Sequence, residues 1–258
     1  MESLASPSSM GALQPRLRCA ALGMTEQLFG RLQICHDLSP HSAAMNMAID
    51  EALLETAIAP AIRFYRWPSP ALSFGYFGKF SDVAIYAAER DLVRRWTGGG
   101  IVFHGDDLTY SIVIPASDLV FNESPMGIYE EIHRALADAL NRVGERAVVA
   151  GGVEPGGIAL SKPAAVSASG YNCFANPVRA DVMINGRKIA GAAQRRTRRG
   201  LLQQGSIQGF TIKSDLAEKF AQALSANCSE FEVNRRIFQR AQELAQQKYG
   251  TESWLRIR

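Results

Sequence analysis

The sequence predicts an α+β fold in which a mixed, largely antiparallel sheet is flanked by helices. Strand-like runs follow one another closely or join through tight turns, as at Asn185-Gly186. Helical patterns are grouped between these runs, most clearly over residues 125–144, and do not alternate with strands as in a Rossmann fold. With 258 residues, 47% of them hydrophobic, the chain can bury one large core.

The first elements are predicted from hydrophobic spacing. Residues 31–37 predict a short strand. Residues 42–56 carry apolar side chains at helical spacing and predict an amphipathic helix, for which Ser42 is a suitable N-cap. Residues 61–67 and 71–76 predict two further strands, linked by a proline-containing loop.

A run of three glycines occupies residues 98–100, between a predicted helix over 84–95 and a predicted strand over 108–114. Because glycine weakens a strand, the run indicates either a ligand lying against the main chain or a bulged turn. No Gly-Lys-Ser or Gly-Lys-Thr follows, so it is not a P-loop. His104 could act as a general base, although a histidine beside a turn is more often a structural hydrogen-bond partner.

Asn185-Gly186 predicts a hairpin with a type I′ turn, because both central residues of that turn need positive φ. A two-residue hairpin would put Met183 opposite Lys188 and Asp181 opposite Ala190. Lys188 would then project over small residues, which leaves room for a ligand. The alternative is an ordinary solvated lysine on an exposed strand, and spacing alone favours that alternative.

The remaining chain predicts a strand over 205–212 and helices over 216–223 and 231–249. Residues 1–28 are rich in Ser, Ala and Pro, and we expect them to form a loosely ordered N-terminal extension. Residues 29–258 are expected to form one catalytic domain.

Composition narrows the function classes. The 28 Lys and Arg against 25 Asp and Glu give a net charge of +3, too little to imply nucleic-acid binding. The four cysteines are widely spaced without a Cys-x-x-Cys pair, so we expect neither a metal site nor a disulfide scaffold. The sequence contains no convincing signal peptide and no membrane-spanning run, which predicts a cytoplasmic protein without membrane contact.

Three segments resemble the lipoate-attachment branch of the biotin/lipoate protein ligase catalytic-domain family. They are Met45-Asn-Met-Ala-Ile-Asp-Glu-Ala-Leu53, Arg95-Trp-Thr-Gly-Gly-Gly-Ile-Val-Phe-His104 and Asn185-Gly-Arg-Lys-Ile-Ala-Gly-Ala-Ala-Gln194. They occur in the family's order, and the resemblance covers roughly residues 31–254. It implies that family's sheet, with an acyl chain beside the glycine-rich strand. It also implies a substrate-binding set of Arg95, Thr97, Gly98, Gly99, Gly100, His104, Gly191, Ala192 and Ala193.

Within this branch, Cys173-Phe174, fifteen positions before Lys188, resembles the cysteine-dependent octanoyltransferases. The resemblance implies that Cys173 takes octanoate from acyl carrier protein as a thioester, with Lys188 as the second catalytic residue. The acceptor would be a lysine of a lipoyl domain, on glycine-cleavage H protein or a 2-oxo acid dehydrogenase subunit. No cofactor is expected. Without the resemblance, Cys173 would be interpreted as a small buried residue.

Two other functions stay open. An ATP-dependent lipoate-protein ligase would use Lys188, ATP and Mg²⁺ but not Cys173, and the triple glycine at residues 98–100 resembles the ligases. Against this, the segment after His104 lacks the Gly-Asn that ligases commonly carry. The third possibility is a non-catalytic protein that binds lipoyl domains.

Four arginines, Arg195, Arg196, Arg198 and Arg199, crowd the turn after the hairpin. On a nearly neutral protein they predict a local positive patch that attracts an acidic partner such as acyl carrier protein. A solvated turn is an equally weighted alternative. Nucleic acid is disfavoured because no aromatic residues are interleaved with these arginines.

Overall fold

Two sheets form the centre of the protein. The computed structural model describes residues 27–151 and 178–257. The strands of these ranges are β1 (Leu32–Asp37), β2 (Ala61–Tyr65), β3 (Ala71–Phe74), β4 (Asp91–Arg94), β5 (Val102–His104), β6 (Leu108–Pro115), β7 (Ala147–Val149), β8 (Val182–Ile184), β9 (Arg187–Arg196), β10 (Gly200–Ile207) and β11 (Cys228–Glu230).

The larger sheet has eight strands in the order β11-β1-β2-β6-β10-β9-β8-β7, and the smaller has three in the order β4-β3-β5. In the larger sheet only β1 pairs in parallel, with β11 and β2, and every other neighbouring pair is antiparallel. The predicted mixed, largely antiparallel sheet is therefore confirmed.

Helices cover both faces of the larger sheet. The helices of the described ranges are α1 (Ala43–Thr56), α2 (Pro125–Arg142), α3 (Leu216–Leu224), α4 (Arg235–Leu244) and α5 (Glu252–Leu255). α1 to α4 pack on the larger sheet, whereas α5 packs beside β4 of the smaller sheet. One core cluster packs α2 and α3 on β6 through residues such as Ile112, and a second packs α1 and α4 on the opposite face through residues such as Val113. Alternate residues of β6 thus serve different layers, as the period of a strand requires. None of the helices in the described ranges is long and apolar enough to cross a membrane.

The helices predicted over residues 42–56 and 125–144 are confirmed as α1 and α2. The predicted N-cap is also confirmed, because the Ser42 hydroxyl oxygen accepts a hydrogen bond from the Met45 amide at 3.2 Å. The helix predicted over residues 84–95 is wrong. Short 3₁₀ turns at Phe80–Asp82 and Ala84–Tyr86 are followed by β4. β4 pairs in parallel with β3, and this tertiary pairing outweighs the local helical preference.

Two further boundaries differ from the prediction. β10 begins at Gly200 and ends at Ile207, because it pairs along its whole length with β6 and β9. Its polar residues Gln203 and Ser206 are buried, so hydrophobicity does not mark the strand. The helix predicted over 231–249 begins at Arg235 after the Asn234 N-cap and continues as a π-helix over Ala245–Tyr249.

Candidate active site

The β8–β9 hairpin turns at Asn185 and Gly186, whose φ angles are 50° and 74°. Both are positive, so the predicted type I′ turn is confirmed. Met183 lies opposite Lys188, also as predicted. The register shifts immediately beyond this pair, and Val182 rather than Asp181 lies opposite Ala190. Such a bulge re-aims the side chains next to it.

Lys188 is buried, so the interpretation as a solvated lysine is wrong. Its side chain is 3% exposed, and Nζ lies 2.7 Å from Oδ2 of Asp181, which is fully buried. The Tyr129 hydroxyl donates to Oδ1 of Asp181 at 2.6 Å, and the Val178 amide donates to Oδ2 at 2.7 Å. Asp181 therefore balances and positions the ammonium group.

Gly191 makes this position of Lys188 possible. A Cβ atom on Gly191 would lie 2.5 Å from Cε and 2.7 Å from Nζ of Lys188. The lysine side chain therefore folds along its own strand, and its ammonium group lies directly over Gly191. Any larger residue would push Nζ away from Asp181.

Lys188 lines a pocket that encloses about 450 Å³ of empty space, part of which is open to solvent. The pocket brings together most of the predicted substrate-binding residues. Its predicted members are Arg95, Gly99, His104, Lys188, Gly191, Ala192 and Ala193. The pocket surface is mostly apolar, and small residues of β9 and Val102 of the smaller sheet contribute to it.

Thr97, Gly98 and Gly100 support the wall rather than line it. The Thr97 hydroxyl donates to Oε1 of Gln204 at 2.8 Å. The Arg95 guanidinium donates to the carbonyls of Gly98 at 3.1 Å and Gly100 at 2.7 Å. Hydrogen bonds of Arg95 and Thr97, which precede the glycines, therefore hold the glycine run in position.

The glycine run also packs very closely on Gly75, the residue that follows β3. A Cβ atom on Gly75 would lie 2.1 Å from the carbonyl oxygen of Gly99. Gly99 itself has a φ of 84°, which glycine adopts without strain. Close backbone contact and a positive φ both explain why glycines stand here.

His104 connects the two sheets through hydrogen bonds. Its Nδ1 lies 2.8 Å from Oδ2 of Asp107, and its Nε2 lies 2.7 Å from Oγ of Ser73. A carboxylate only accepts, so Nδ1 carries the proton and Nε2 accepts from the Ser73 hydroxyl. Arg95 in turn donates to Ser73 Oγ at 2.7 Å. The ring of Trp67 stacks on His104 with ring centres 4.0 Å apart.

Burial lowers the pKa of His104, although the hydrogen bond that its Nδ1 donates to Asp107 works in the opposite direction. Burial alone would raise the pKa of Asp107, but bonds from His104, Gly105 and Ser206 lower it. The pair is therefore a neutral imidazole and a carboxylate at neutral pH. The geometry shows that His104 is a structural hydrogen-bond partner, because Asp107 and Ser73 engage both of its ring nitrogens. A role of His104 as general base stays a prediction.

The pocket residues that were not predicted from the sequence are Met47, Tyr65, Trp67, Ser73, Val102, Thr109, Gln204, Gly205 and Ser206. Met47 and Val102 lie within the three family segments but were not assigned to the site. The other seven lie outside those segments and reach the pocket only in the folded protein. Asp181 was placed in the hairpin but not recognised as the partner of Lys188. Cys173 lies outside the described residues, so its predicted role as nucleophile stays a prediction.

The sequence profile described as "Lipoyl protein ligase A/B catalytic domain" matches residues 42–243, which include the pocket. The chain belongs to this family. The family resemblance inferred from the three segments is therefore confirmed.

Curated relatives of this lipoyl protein ligase A/B chain are named octanoyltransferase LipM. The relative from Oceanobacillus iheyensis is 38% identical over 179 residues, covering 66% of this chain and 61% of the relative. The relative from Symbiobacterium thermophilum is 31% identical over 265 residues, covering 81% of this chain and 92% of the relative. The chain spans 61% of the Oceanobacillus relative and 62% of the one from Kyrpidia tusciae.

Solved structures of ligases share the fold. Lipoate-protein ligase A bound with ATP superposes with a TM-score of 0.67 at 21% identity, covering 87% of this chain and 98% of that one. The bipartite lipoate protein ligase of Thermoplasma acidophilum, described with its E2 lipoyl domain, superposes with a TM-score of 0.66 at 20% identity. The match covers 87% of this chain and 95% of that one. These similarities confirm the predicted fold of the family.

The four predicted patch arginines differ in their surroundings. Arg196 donates to the carbonyls of Phe121 and Glu123, and its guanidinium lies 3.9 Å from the Phe121 ring centre. Arg199 lies 3.4 Å from Oε1 of Glu55. Arg195 packs on aromatic rings. Only part of the predicted positive charge is therefore presented to solvent.

Proposed function

We propose that the protein is an octanoyltransferase of protein lipoylation, which moves an octanoyl group from acyl carrier protein to a lysine of a lipoyl domain through a thioester on Cys173. The observation that carries this proposal is the buried Lys188–Asp181 pair on the wall of an apolar pocket. The family match and the relatives named octanoyltransferase LipM support it.

The lysine serves a cysteine nucleophile in two ways. A free thiol has a pKa of about 8.5, so only a few per cent is thiolate at neutral pH unless a cation stabilises it. A buried ammonium beside the thiol would increase the thiolate fraction. The same N–H donors would stabilise the oxyanion that forms when the thioester carbonyl is attacked, and such donors act most strongly where water is excluded.

The reaction has two balanced steps. The Cys173 thiolate forms a bond to the octanoyl carbonyl carbon, the bond from that carbon to the carrier sulfur breaks, and the carrier thiolate takes up a proton. The amine of the acceptor lysine then attacks the acyl-enzyme, the Cys173 thiolate leaves, and the amine loses one proton. Lys188 donates to the carbonyl oxygen in both steps.

The pocket is suited to an alkyl chain. Gly191, Ala192 and Ala193 leave space beside β9, and the opposite wall includes Val102 and Gly99. Burying apolar surface here contributes about 0.8 kcal/mol for each CH₂ group. The acyl chain would thus be held by contact area, while Lys188 and Arg95 supply polar anchoring.

For the acceptor we propose a lipoyl domain, on glycine-cleavage H protein or a 2-oxo acid dehydrogenase subunit. The proposed transfer takes place in the cytoplasm and uses neither ATP nor Mg²⁺, because the donor thioester is already activated. The acidic carrier protein would dock at the turn that carries Arg198 and Arg199, both of which are exposed.

The decisive experiment is intact-mass spectrometry after mixing the protein with octanoyl carrier protein. We expect a gain of one octanoyl group, which Cys173→Ala abolishes, followed by transfer to a lipoyl domain without ATP. Lipoylation that requires ATP and survives Cys173→Ala would contradict the proposal in favour of a ligase. Binding of a lipoyl domain with neither activity would leave a non-catalytic binder.

Docking is tested separately by a salt titration of the rate with carrier-bound octanoate. We expect kcat/KM to fall as ionic strength rises, since exposed charges are screened over about 10 Å at 0.1 M salt. The Arg198→Ala/Arg199→Ala variant should show a weaker salt dependence. A rate independent of salt in both proteins would contradict docking at this turn.

A further inference from the structure

Arg195 has a buried polar atom without a partner. Its Nε has no hydrogen-bond acceptor within the described parts of the chain. The guanidinium carbon lies 5.1 Å from the ring centre of Trp96 and 5.5 Å from that of Tyr76. Burying an N–H group without an acceptor is unfavourable, so the unmade bond needs an explanation.

A second cation shares the Trp96 ring. Nζ of Lys248 lies 4.4 Å from the Trp96 ring centre and 2.6 Å from Oε2 of Glu51. Burial lowers the pKa of Lys248, and the positive charge of Arg195 acts in the same direction. Arg195, Lys248, Trp96 and Tyr76 together are named the Arg195 cluster.

The Arg195 cluster flanks the pocket. Arg195 follows Ala193, which lines the pocket, by two residues on β9, so the two side chains share a face of the sheet. Trp96 directly follows Arg95, another pocket residue. The amide of Tyr76 donates to the Thr97 carbonyl at 2.8 Å, which fixes Tyr76 beside the glycine run.

The distance along β9 between Gly191 and Arg195 indicates which anion would reach Arg195 when a thioester lies at Lys188. The ammonium of Lys188 lies over Gly191, where the reacting thioester is proposed to sit. From Gly191 to Arg195 is four residues, or about 13 Å of extended strand. The pantetheine arm of a carrier protein, from sulfur to phosphorus, is about as long as four to five extended residues, or about 15 Å.

We propose that the Arg195 cluster binds the phosphodiester of the phosphopantetheine arm that delivers the acyl thioester. This inference rests on the proposed transferase function. The phosphate oxygens accept from Nε and a terminal nitrogen of Arg195, a paired geometry that suits guanidinium and phosphate. Trp96 and Tyr76 hold the guanidinium in place.

The test compares two donors that carry the same thioester. Octanoyl carrier protein has the phosphodiester, whereas octanoyl-N-acetylcysteamine does not. For Arg195→Gln we expect kcat/KM with the carrier donor to fall about tenfold or more, mainly through KM, because a charge-assisted bond is lost. The rate with octanoyl-N-acetylcysteamine should not change.

Matched variants separate phosphate binding from packing. Arg195→Lys keeps the charge but lacks the paired donors, and should be intermediate. Arg256→Gln removes an arginine that also lies on an aromatic ring, 4.0 Å from the Phe80 ring centre, and should behave as wild type with both donors. Thermal unfolding of each variant reports whether it folds.

Three results would overturn the inference. They are an equal loss of rate in Arg195→Gln with both donors, no loss of rate with either donor, and a loss seen only in ATP-dependent activation of free octanoate. The last result would assign the Arg195 cluster to a nucleotide phosphate.

Calorimetry with phosphopantetheine and pantetheine tests binding to the Arg195 cluster without catalysis. Wild type should bind phosphopantetheine more tightly than pantetheine, whereas Arg195→Gln should bind the two equally. Equal binding of the two compounds to wild type would exclude the phosphate site, whether or not the protein is a transferase.

Discussion

Lys188 is a charged side chain with 3% of its surface exposed, and Asp181 balances its charge. Removing one partner of a buried pair leaves the other charge uncompensated, which is much worse than removing both. The pair therefore allows the contribution of the cation to catalysis to be separated from its contribution to stability.

Lys188→Met should lower the free energy of unfolding by about 3 kcal/mol and the transfer rate by about 100-fold or more. Adding Asp181→Asn should recover most of the stability, because the carboxylate charge is gone, but none of the rate. Urea unfolding and the transfer assay measure the two effects. A double variant that regained activity would show that the ammonium is not required.

His133 is predicted from its helical position to be a surface or core residue, and it is fully buried in the core. Its Nδ1 lies 2.6 Å from the Ala180 carbonyl, and its Nε2 lies 2.9 Å from the Tyr110 hydroxyl. Burial lowers the pKa of His133 to about 4, although the bond to Ala180 opposes the shift.

This shift predicts a pH dependence of stability. An unfolded histidine has a pKa of about 6.5, so between about pH 6.5 and 4 the unfolded chain binds the extra proton. Stability should fall as the pH drops through this window, by about 3 kcal/mol from His133 when the loss is complete.

Urea unfolding at pH 7, 6 and 5 checks the pH prediction. His133→Gln should flatten the dependence, leaving the part that comes from His104, whose pKa is also lowered by burial. His36→Gln, at an exposed position, serves as the control for the substitution itself. An unchanged slope in His133→Gln would contradict the assignment.

At the scale of elements, β9 places the catalytic lysine, the wall of the pocket and Arg195 on one strand. Gly191→Ala would put a methyl group against the flexible end of Lys188. We expect a smaller loss of stability than in Lys188→Met, because both charges remain and the flexible end can shift. Transfer activity should fall about tenfold or more, as misplacing a catalytic group by about 1 Å is costly.

Gly30→Ala is a matched control for the prediction on Gly191. A Cβ atom at Gly30 would meet nothing within 4 Å. This variant should keep the wild-type transfer rate and stability, measured in the same assays. Equal activity of Gly191→Ala and Gly30→Ala would show that the position of Lys188 over Gly191 does not matter for transfer.

At the scale of the whole molecule, Asp50 of α1 joins three strands of the larger sheet. Its Oδ1 accepts from Arg63 at 2.8 Å and Ser111 at 2.7 Å. Its Oδ2 accepts from Gln204 at 2.7 Å and Tyr65 at 3.1 Å. Because Tyr65 and Gln204 also line the pocket, this buried hydrogen-bond network connects the packing of α1 to the position of two pocket residues.

Asp50→Ala should lower the free energy of unfolding by about 3–5 kcal/mol, because the fully buried Arg63 loses a charged partner and several donors lose their acceptor. Glu243→Ala, which breaks an exposed pair with Arg240, should change it little. Denaturant unfolding compares the two. Similar losses in both variants would contradict a special role for the network.

Local patterns determined the elements whose signal is contained in their own residues. The helix after Ser42, the helix over Pro125–Arg142 and the turn at Asn185-Gly186 follow from periodicity, capping and positive φ. β4 and β10 could not be predicted in the same way, because their stability comes from pairing with strands distant in the sequence.

The sequence by itself determined the α+β class, the family and seven of the sixteen residues that line the pocket. Only the tertiary structure decided that Lys188 is buried and paired with Asp181, and that Ser73, His104 and Asp107 form one chain of hydrogen bonds. A motif fixes which residues are present, whereas burial and ion pairing depend on a bulge and on strands that meet only in the folded protein.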